Sequence, residues 1–346
     1  MTHTQPAHPL AFVGAGSLGQ SFAALIARSG HAVTLLASPR TDAALRTTGA
    51  IHLRGVVEVT VPTAPAPAPP GVVGVTADPH ALPLGGGVIF VTKGHDLEAA
   101  IASVRDAWSE CNDDAAWVAG VQNGIVKDDL LAAAFGANRV VGAATILGAQ
   151  RLDDGAIRVT SLGMTYFGEF AGTQSGRVQE ALALFRAGDI PVETPADIRS
   201  VLWSKACNAT GVFGVSMLSG PEAPPLSTNP HLMRAYLTLV RETAAIARAE
   251  GVSVGNYANF PPIATYAEQP VAETIAALPP PPPPPSPGST TPRSQPSMVQ
   301  DYVAGRPMEV EAIFGDIVTR AERYGVPVPS LVFVRDMLRG LNGVGK

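Results

Sequence analysis

The 346-residue sequence holds only two cysteines, Cys111 and Cys207, too few for a disulfide framework and without metal-ligand spacing, so a reducing compartment is expected and no metal site. Charge is scarce as well. Asp, Glu, Lys and Arg make up 15% of the chain, the net charge is −5, and no Lys/Arg cluster occurs. That argues against nucleic acid as a partner, because binding a phosphate backbone needs concentrated positive charge. No uninterrupted apolar run reaches the roughly 18 residues of a membrane span. Residues 1–9 lack the basic and apolar regions of a secretory signal, and the expected location is the cytoplasm. What the sequence has in quantity is apolar side chain, 46%, in a chain long enough for two domains.

The apolar run Leu10-Ala11-Phe12-Val13 reads as a buried strand and leads into Gly14-Ala15-Gly16-Ser17-Leu18-Gly19, after which residues 20–28 have the composition of a helix. A strand-to-helix turn with this glycine spacing suits a dinucleotide: Gly14 allows the tight turn, Gly16 lets backbone approach a pyrophosphate, and Gly19 lets helix pack on strand. The competing reading is an ordinary glycine-rich turn. Residues 32–37 form the second strand, followed by Ser38-Pro39-Arg40, with the first carboxylate at Asp42. An acid at the end of this strand takes ribose hydroxyls, whereas a cation accommodates a 2′-phosphate, so Arg40 favours NADP(H) over NAD. Thr41 or Asp42 is expected to cap a helix from Ala43.

Further along, residues 51–61 read as extended and 62–70 as a Pro/Ala loop, and 72–75 and 88–91 as buried strands. Lys93 follows at the carboxyl edge, where parallel sheets place ligands, and either contacts phosphate or substrate or is simply solvated. Strand 117–121 ends in Gln122-Asn123-Gly124, which makes Asn123 either turn chemistry or a ligand contact. From Val140 short strands and turns suggest an antiparallel extension of the sheet. Residues 177–187 are again helical, and beyond about Pro195 strand patterns stop. Residues 197–218 form one long apolar segment. Residues 230–250 are amphipathic, with Asn229 as N-cap and Met233, Tyr236, Leu237, Val240, Ala244 and Ala247 on one stripe; 308–324 repeats the design through Val310, Ile313, Phe314, Ile317, Ala321 and Tyr324. The expected fold is α/β: an N-terminal Rossmann-type doubly wound sheet with an antiparallel extension over 1–195, and an all-helical domain over 196–346. A proline-rich loop at 279–296, with seven consecutive prolines at 279–285, reads as a polyproline spacer.

Lys205 stands inside an apolar helical stretch. At about 100° per residue, Asn208, Val212 and Ser216 fall within about 60° of it. An ammonium in such surroundings is costly unless it meets an anion or a polar cavity. A lysine snorkelling to the surface beside Trp203 explains the sequence equally well.

The glycine turn, Val91-Thr92-Lys93, Gln122-Asn123-Gly124, Ser204-Lys205 and the stretch Pro296-Ser297-Met298-Val299-Gln300-Asp301 followed by Gly305-Arg306-Pro307-Met308-Glu309-Val310-Glu311 together resemble the ketopantoate reductase (2-dehydropantoate 2-reductase) family, in the right order over nearly the whole chain. The resemblance implies NADPH-dependent reduction of a small 2-keto acid to the 2-hydroxy acid, as in pantothenate biosynthesis. By position it makes Lys205 the general acid and has Glu309 bind the substrate hydroxyl and Ser297 its carboxylate, while Lys93 and Asn123 order the cofactor and reacting carbonyl. Periodicity alone does not separate Glu309 from Glu311. The family's asparagines four and eight residues after the lysine are here Ala209 and Phe213, with Asn208 placed to substitute, which predicts a more apolar pocket. The alternatives are a reductase of a bulkier apolar carbonyl or imine, and a non-enzymatic NADPH-binding regulator with a polyproline docking segment. A homodimer is left open.

Overall fold

A computed structural model of the chain describes residues 9–109, 115–172, 174–280 and 295–342; Cys111 and most of the proline-rich loop lie outside them. The described residues fall into two compact units, one drawn from Met1–Gln122 and Val126–Arg199, the other from Asn123–Ile125 and Ser200–Lys346. No helix among them is long and apolar enough to cross a membrane.

The first unit alternates strand and helix: β1 (Leu10–Val13), α1 (Ser17–Ala27), β2 (Val33–Leu36), α2 (Pro39–Thr48), β3 (Ala50–Gly55), β4 (Val59–Pro65), β5 (Val73–Thr76), β6 (Gly87–Phe90), α3 (Leu97–Trp108), β7 (Trp117–Gly120), α4 (Val126–Phe135), β8 (Gly142–Arg151), β9 (Ile157–Gly168), α5 (Gly176–Ala187) and β10 (Val192–Glu193). The strands form one sheet in the order β10-β9-β3-β4-β5-β2-β1-β6-β7, with β8 paired to β9. Strands β5, β2, β1, β6 and β7 run parallel and are buried throughout, because helices cover both faces. Alternation along β1 divides the core. Leu10 and Phe12 join Phe22, Leu25 and Phe185, whereas Ala11 and Val13 join Phe90, Val104, Leu131 and Phe135. Since β2 lies on one side of β1 and β6 on the other, the order of the strands reverses at β1, the point where open α/β sheets bind ligands.

The antiparallel extension is present, as a hairpin of long strands rather than short ones: β8 and β9 have 10 and 12 residues. Two expectations are corrected. Residues 62–65 belong to β4 and not to a loop, since Thr63 N–H bonds the Gly49 carbonyl and Ala66 N–H the Val75 carbonyl, so the missing donors of Pro62 and Pro65 leave the ladder intact. Helix α2 begins at Pro39 and not at Ala43, because Ser38 takes the cap position, its Oγ accepting from Thr41 N–H.

The second unit is helical: α6 (Ile198–Ser219), α7 (Pro230–Ala249), α8 (Ile263–Glu268), α9 (Val271–Ala276), α10 (Ser297–Val303), α11 (Asp316–Tyr324) and α12 (Pro329–Leu341). Helices α6 and α7 pack closely because Gly211 and Gly214 leave room for Tyr236 and Leu239; a Cβ on either glycine would come within 2.6 or 2.7 Å of those side chains. Asn229 caps α7 as expected, and all six stripe residues are buried. The segment 308–324 departs from a uniform helix. A π turn, Glu311–Gly315, precedes α11; Val310, Ile313, Phe314, Ile317 and Ala321 are buried as expected, whereas Tyr324, the last residue of α11, is 44% exposed.

Arg320 on α11 is buried between Glu250 at 2.8 Å and Asp316 at 2.9 Å. Arg320→Ala leaves two carboxylates under-compensated, and urea unfolding should show a loss of about 3–5 kcal/mol. A loss under about 1 kcal/mol would mean that the cluster is solvated in the folded state.

Candidate functional site

Each unit contributes one set of the residues singled out by sequence. In the first, β1 ends at Val13 and Gly14 turns the chain with φ of +116°, its N–H bonded to the Leu36 carbonyl. A Cβ on Gly14 would lie 2.8 Å from Thr92 N, and one on Gly19 only 2.0 Å from the Gly14 carbonyl oxygen. These two glycines are therefore required by the fold itself. Gly16 is different: no atom lies within 4 Å of where its Cβ would be, and it is exposed at the cap of α1, with no side-chain cap and no acid in the first turn. Ala15 is buried, and Ser17 and Leu18 open the helix half-buried. The arrangement presents helix-start amides to open space, an environment that favours a negatively charged group.

Arg40 is exposed in the first turn of α2, beyond the end of β2, and has no ion-pair partner among the described residues. Asp42 is turned away to Arg46, 2.8 Å from its Nε, as an i,i+4 pair. Lys93 is half-buried at the start of the turn following β6, next to the Thr92 that abuts Gly14. Two further residues here were not assigned a role from sequence. Gln122 is buried, its Nε2 3.4 Å from Thr92 Oγ1 and its Oε1 without a partner. Arg151, at the end of β8, donates to the Ala15 carbonyl at 3.0 Å, an oxygen that also accepts from Gln20 Nε2 at 2.8 Å. No local pattern predicts a contact across 136 positions.

In the second unit, Lys205, Asn208, Val212 and Ser216 are half-buried while the rest of α6 from Ser200 to Met217 is buried, including Trp203 at 2% exposure. The stripe drawn from helical periodicity is the one the helix leaves accessible. Ala209 and Phe213 are buried. Asn208 Oδ1 accepts from the Tyr236 hydroxyl at 2.9 Å, and burial pushes both the Tyr236 phenol and the Cys207 thiol up, so both stay protonated.

Glu309 is 6% exposed and precedes the π turn, whereas Glu311 is mostly exposed and held by two hydrogen bonds from Arg339, which keep its carboxyl below the usual range. The two carboxylates that periodicity leaves alike thus differ in burial, and Glu311 is engaged with Arg339. Ser297 is half-buried at the first position of α10. Asn123 is half-buried beside Gly124, whose φ of +93° and whose packing against Ala312, where a Cβ would lie 2.1 Å from the carbonyl oxygen, bring this turn onto the segment just after Glu309. No group of three or more His, Cys, Asp or Glu side chains fit to hold a metal ion occurs among the described residues.

Comparison with known proteins gives a consistent pattern. Residues 10–172 match the family described as "Ketopantoate reductase PanE/ApbA", and residues 197–342 match "Ketopantoate reductase PanE/ApbA C terminal". A 2-dehydropantoate 2-reductase of Halobacterium salinarum is 27% identical over 329 residues, covering 94% of this chain and 96% of that one. The crystal structure of 2-dehydropantoate 2-reductase from Geobacter metallireducens has TM-score 0.75 at 23% identity, with 96% and 99% coverage. D-mandelate dehydrogenase, solved in ternary complex with NADH and anilino(oxo)acetate, has TM-score 0.75 at 17% identity, with 96% and 98% coverage.

The two kinds of glycine in the turn separate experimentally. Gly19→Ala forces the Gly14 carbonyl aside and should lower stability by about 1–3 kcal/mol in thermal or urea unfolding, while Gly16→Ala stays within about 0.5 kcal/mol of the parent. Equal losses for both would contradict the open space beside Gly16.

Proposed function

The chain belongs to the ketopantoate reductase family and is an oxidoreductase that uses a nicotinamide cofactor; from that premise we propose that it reduces a small 2-keto acid to the 2-hydroxy acid with NADPH, with Lys205 as the proton donor. The observation that carries the reading is the accessible stripe on α6, a lysine and an amide on an otherwise buried helix. We take the first unit as the nucleotide-binding domain and the second as the substrate-binding domain.

The residues around the glycine turn fit a dinucleotide. Gly16 leaves its surroundings open to a diphosphate, the α1 amides face it, and Arg40 takes the 2′-phosphate while Asp42 is engaged with Arg46. Lys93 and Asn123 order the cofactor and the reacting carbonyl. When bound, the reduced nicotinamide supplies hydride to the keto carbon. Lys205 gives its Nζ proton to the oxygen that becomes the hydroxyl, so no free alkoxide forms. Glu309 holds the substrate hydroxyl, Ser297 its carboxylate, and Asn208 a further oxygen. Burial of most of α6 supports the lysine's role, because it leaves Lys205 and Asn208 as the functional polar pair on the accessible stripe.

A second reading, a keto acid with a bulkier apolar group, is favoured by Ala209 and Phe213, two positions where the family pattern has asparagine. Rates of NADPH consumption across a series of 2-keto acids, ketopantoate and aromatic members included, separate the two.

Lys205→Ala should lower kcat by about 10²–10⁴-fold while leaving the NADPH dissociation constant within about twofold of the parent. Undiminished turnover would remove the lysine from the chemistry. Arg40→Ala should weaken NADPH binding by about 10- to 100-fold and leave NADH binding unchanged, measured by nicotinamide fluorescence; an equal effect on both nucleotides would place Arg40 away from the 2′-phosphate.

A further inference from the structure

A primary amide has an acceptor end and a donor end, and which end Asn208 turns outward decides what it can hold. Tyr236 decides it. Its ring is 3% exposed, lies over Gly211 where a Cβ would come within 2.6 Å, and meets Tyr266 edge-on with ring centres 6.1 Å apart. A buried phenol must place its hydrogen on an acceptor, and the acceptor here is Asn208 Oδ1 at 2.9 Å. With the carbonyl end engaged inward, Asn208 Nδ2 is left with two N–H groups and no acceptor among the described residues, on the half-buried stripe it shares with Lys205 three positions earlier. Two neighbouring donors, one of them cationic, suit an oxygen acceptor, above all a carboxylate or keto oxygen.

We infer that Tyr236 is a positioning residue that locks the Asn208 amide as a hydrogen-bond donor, and that Asn208 Nδ2 binds an oxygen of the oxo acid beside Lys205. The inference rests on the reading of Lys205 given above. It assigns to one orientation-locked amide a task for which the family pattern offers asparagines at the positions of Ala209 and Phe213.

Asn208→Asp tests it most sharply, because aspartate keeps an acceptor for Tyr236 in place while replacing both N–H donors with a carboxylate oxygen. KM for the best 2-keto acid of the series should rise about 10- to 100-fold, and the dissociation constant of oxamate, a non-reducible oxo-acid analogue, measured with NADP⁺ present, should rise in parallel. NADPH affinity and melting temperature should hold. Tyr236→Phe keeps the ring over Gly211 but frees the amide to rotate; KM should rise about 3- to 10-fold with kcat changed less than about twofold. Adding Tyr236→Phe to Asn208→Asp should cause no further rise in KM, since the donor to be positioned is gone. If Asn208→Asp leaves KM and oxamate binding within twofold of the parent, Asn208 serves Tyr236 only and the inference is overturned while the reductase reading stands. If the parent protein neither reduces any 2-keto acid nor binds oxamate, both are overturned.

Discussion

The first unit turns on a steric constraint: the carbonyl of Gly14 occupies the place where a side chain at position 19 would begin. Strand β1 and helix α1 can fold back on one another within three intervening residues only if both positions are glycine, and the same turn brings Thr92 against Gly14. Three consequences follow from that one contact. The start of α1 is aimed past the carboxyl edge of the sheet, the loop after β6 is fixed beside it, and Lys93 is carried to the same edge. Gly16 obeys the opposite condition, since nothing in the chain requires it to be small. Its openness has meaning only toward something outside the chain, which is why it supports nucleotide binding more directly than the two glycines that hold the turn together.

In the second unit the corresponding constraint is the closeness of α6 and α7. Gly211 and Gly214 admit Tyr236 and Leu239, and the Thr210 and Thr243 hydroxyls meet at 2.8 Å in the same seam. Close packing on that side buries most of α6 and leaves a single row accessible. A lysine in that row is held in partly dehydrated surroundings by the packing of its neighbours rather than by any feature of its own side chain. The same seam delivers the Tyr236 hydroxyl to Asn208, so the helix contact and the orientation of the amide have one origin.

Much of this architecture is legible in the sequence, for reasons that differ by element. The central strands are runs such as Leu10-Ala11-Phe12-Val13, apolar at every position because both faces are covered, and a buried run of that kind is unambiguous when a glycine turn and helix follow. The stripe on α6 and the cap at Asn229 are also readable, because helical spacing and capping are local. Residues 62–65 were hidden because proline argues against a strand unless one knows which N–H groups the ladder uses. Ser38 is not evident as the cap of α2, because a Pro-Arg pair inside the first turn resembles the loop before a helix. The π turn before α11 has no sequence signature at all. Arg151 on Ala15 and Tyr236 on Asn208 depend on elements meeting across long stretches of chain, and no window of sequence contains both partners. Glu309 and Glu311 look alike until the fold brings Arg339 to one of them.

The departures at Ala209 and Phe213 acquire a geometric sense on α6. At about 100° per residue, Asn208, Val212 and Ser216 lie within about 60° of Lys205 around the axis, and Ala209 and Phe213 lie about 40° and 80° from it on the flank away from Asn208. Asn208, Val212 and Ser216 are half-buried, and Ala209 and Phe213 are buried. A methyl and a phenyl suit that buried flank, since a buried asparagine without partners would cost more than a buried phenylalanine. In the proposed reading, polar recognition on this helix falls to the flank of Asn208, where a single amide is available. A single amide can be selective only if its orientation is held, and a buried tyrosine hydroxyl holds it. In the proposed reaction this leaves fewer hydrogen bonds for a hydroxylated side chain of the substrate while keeping donors for its oxo-acid end. The specificity proposed on this basis is for the 2-oxo acid group itself, with tolerance for an apolar remainder.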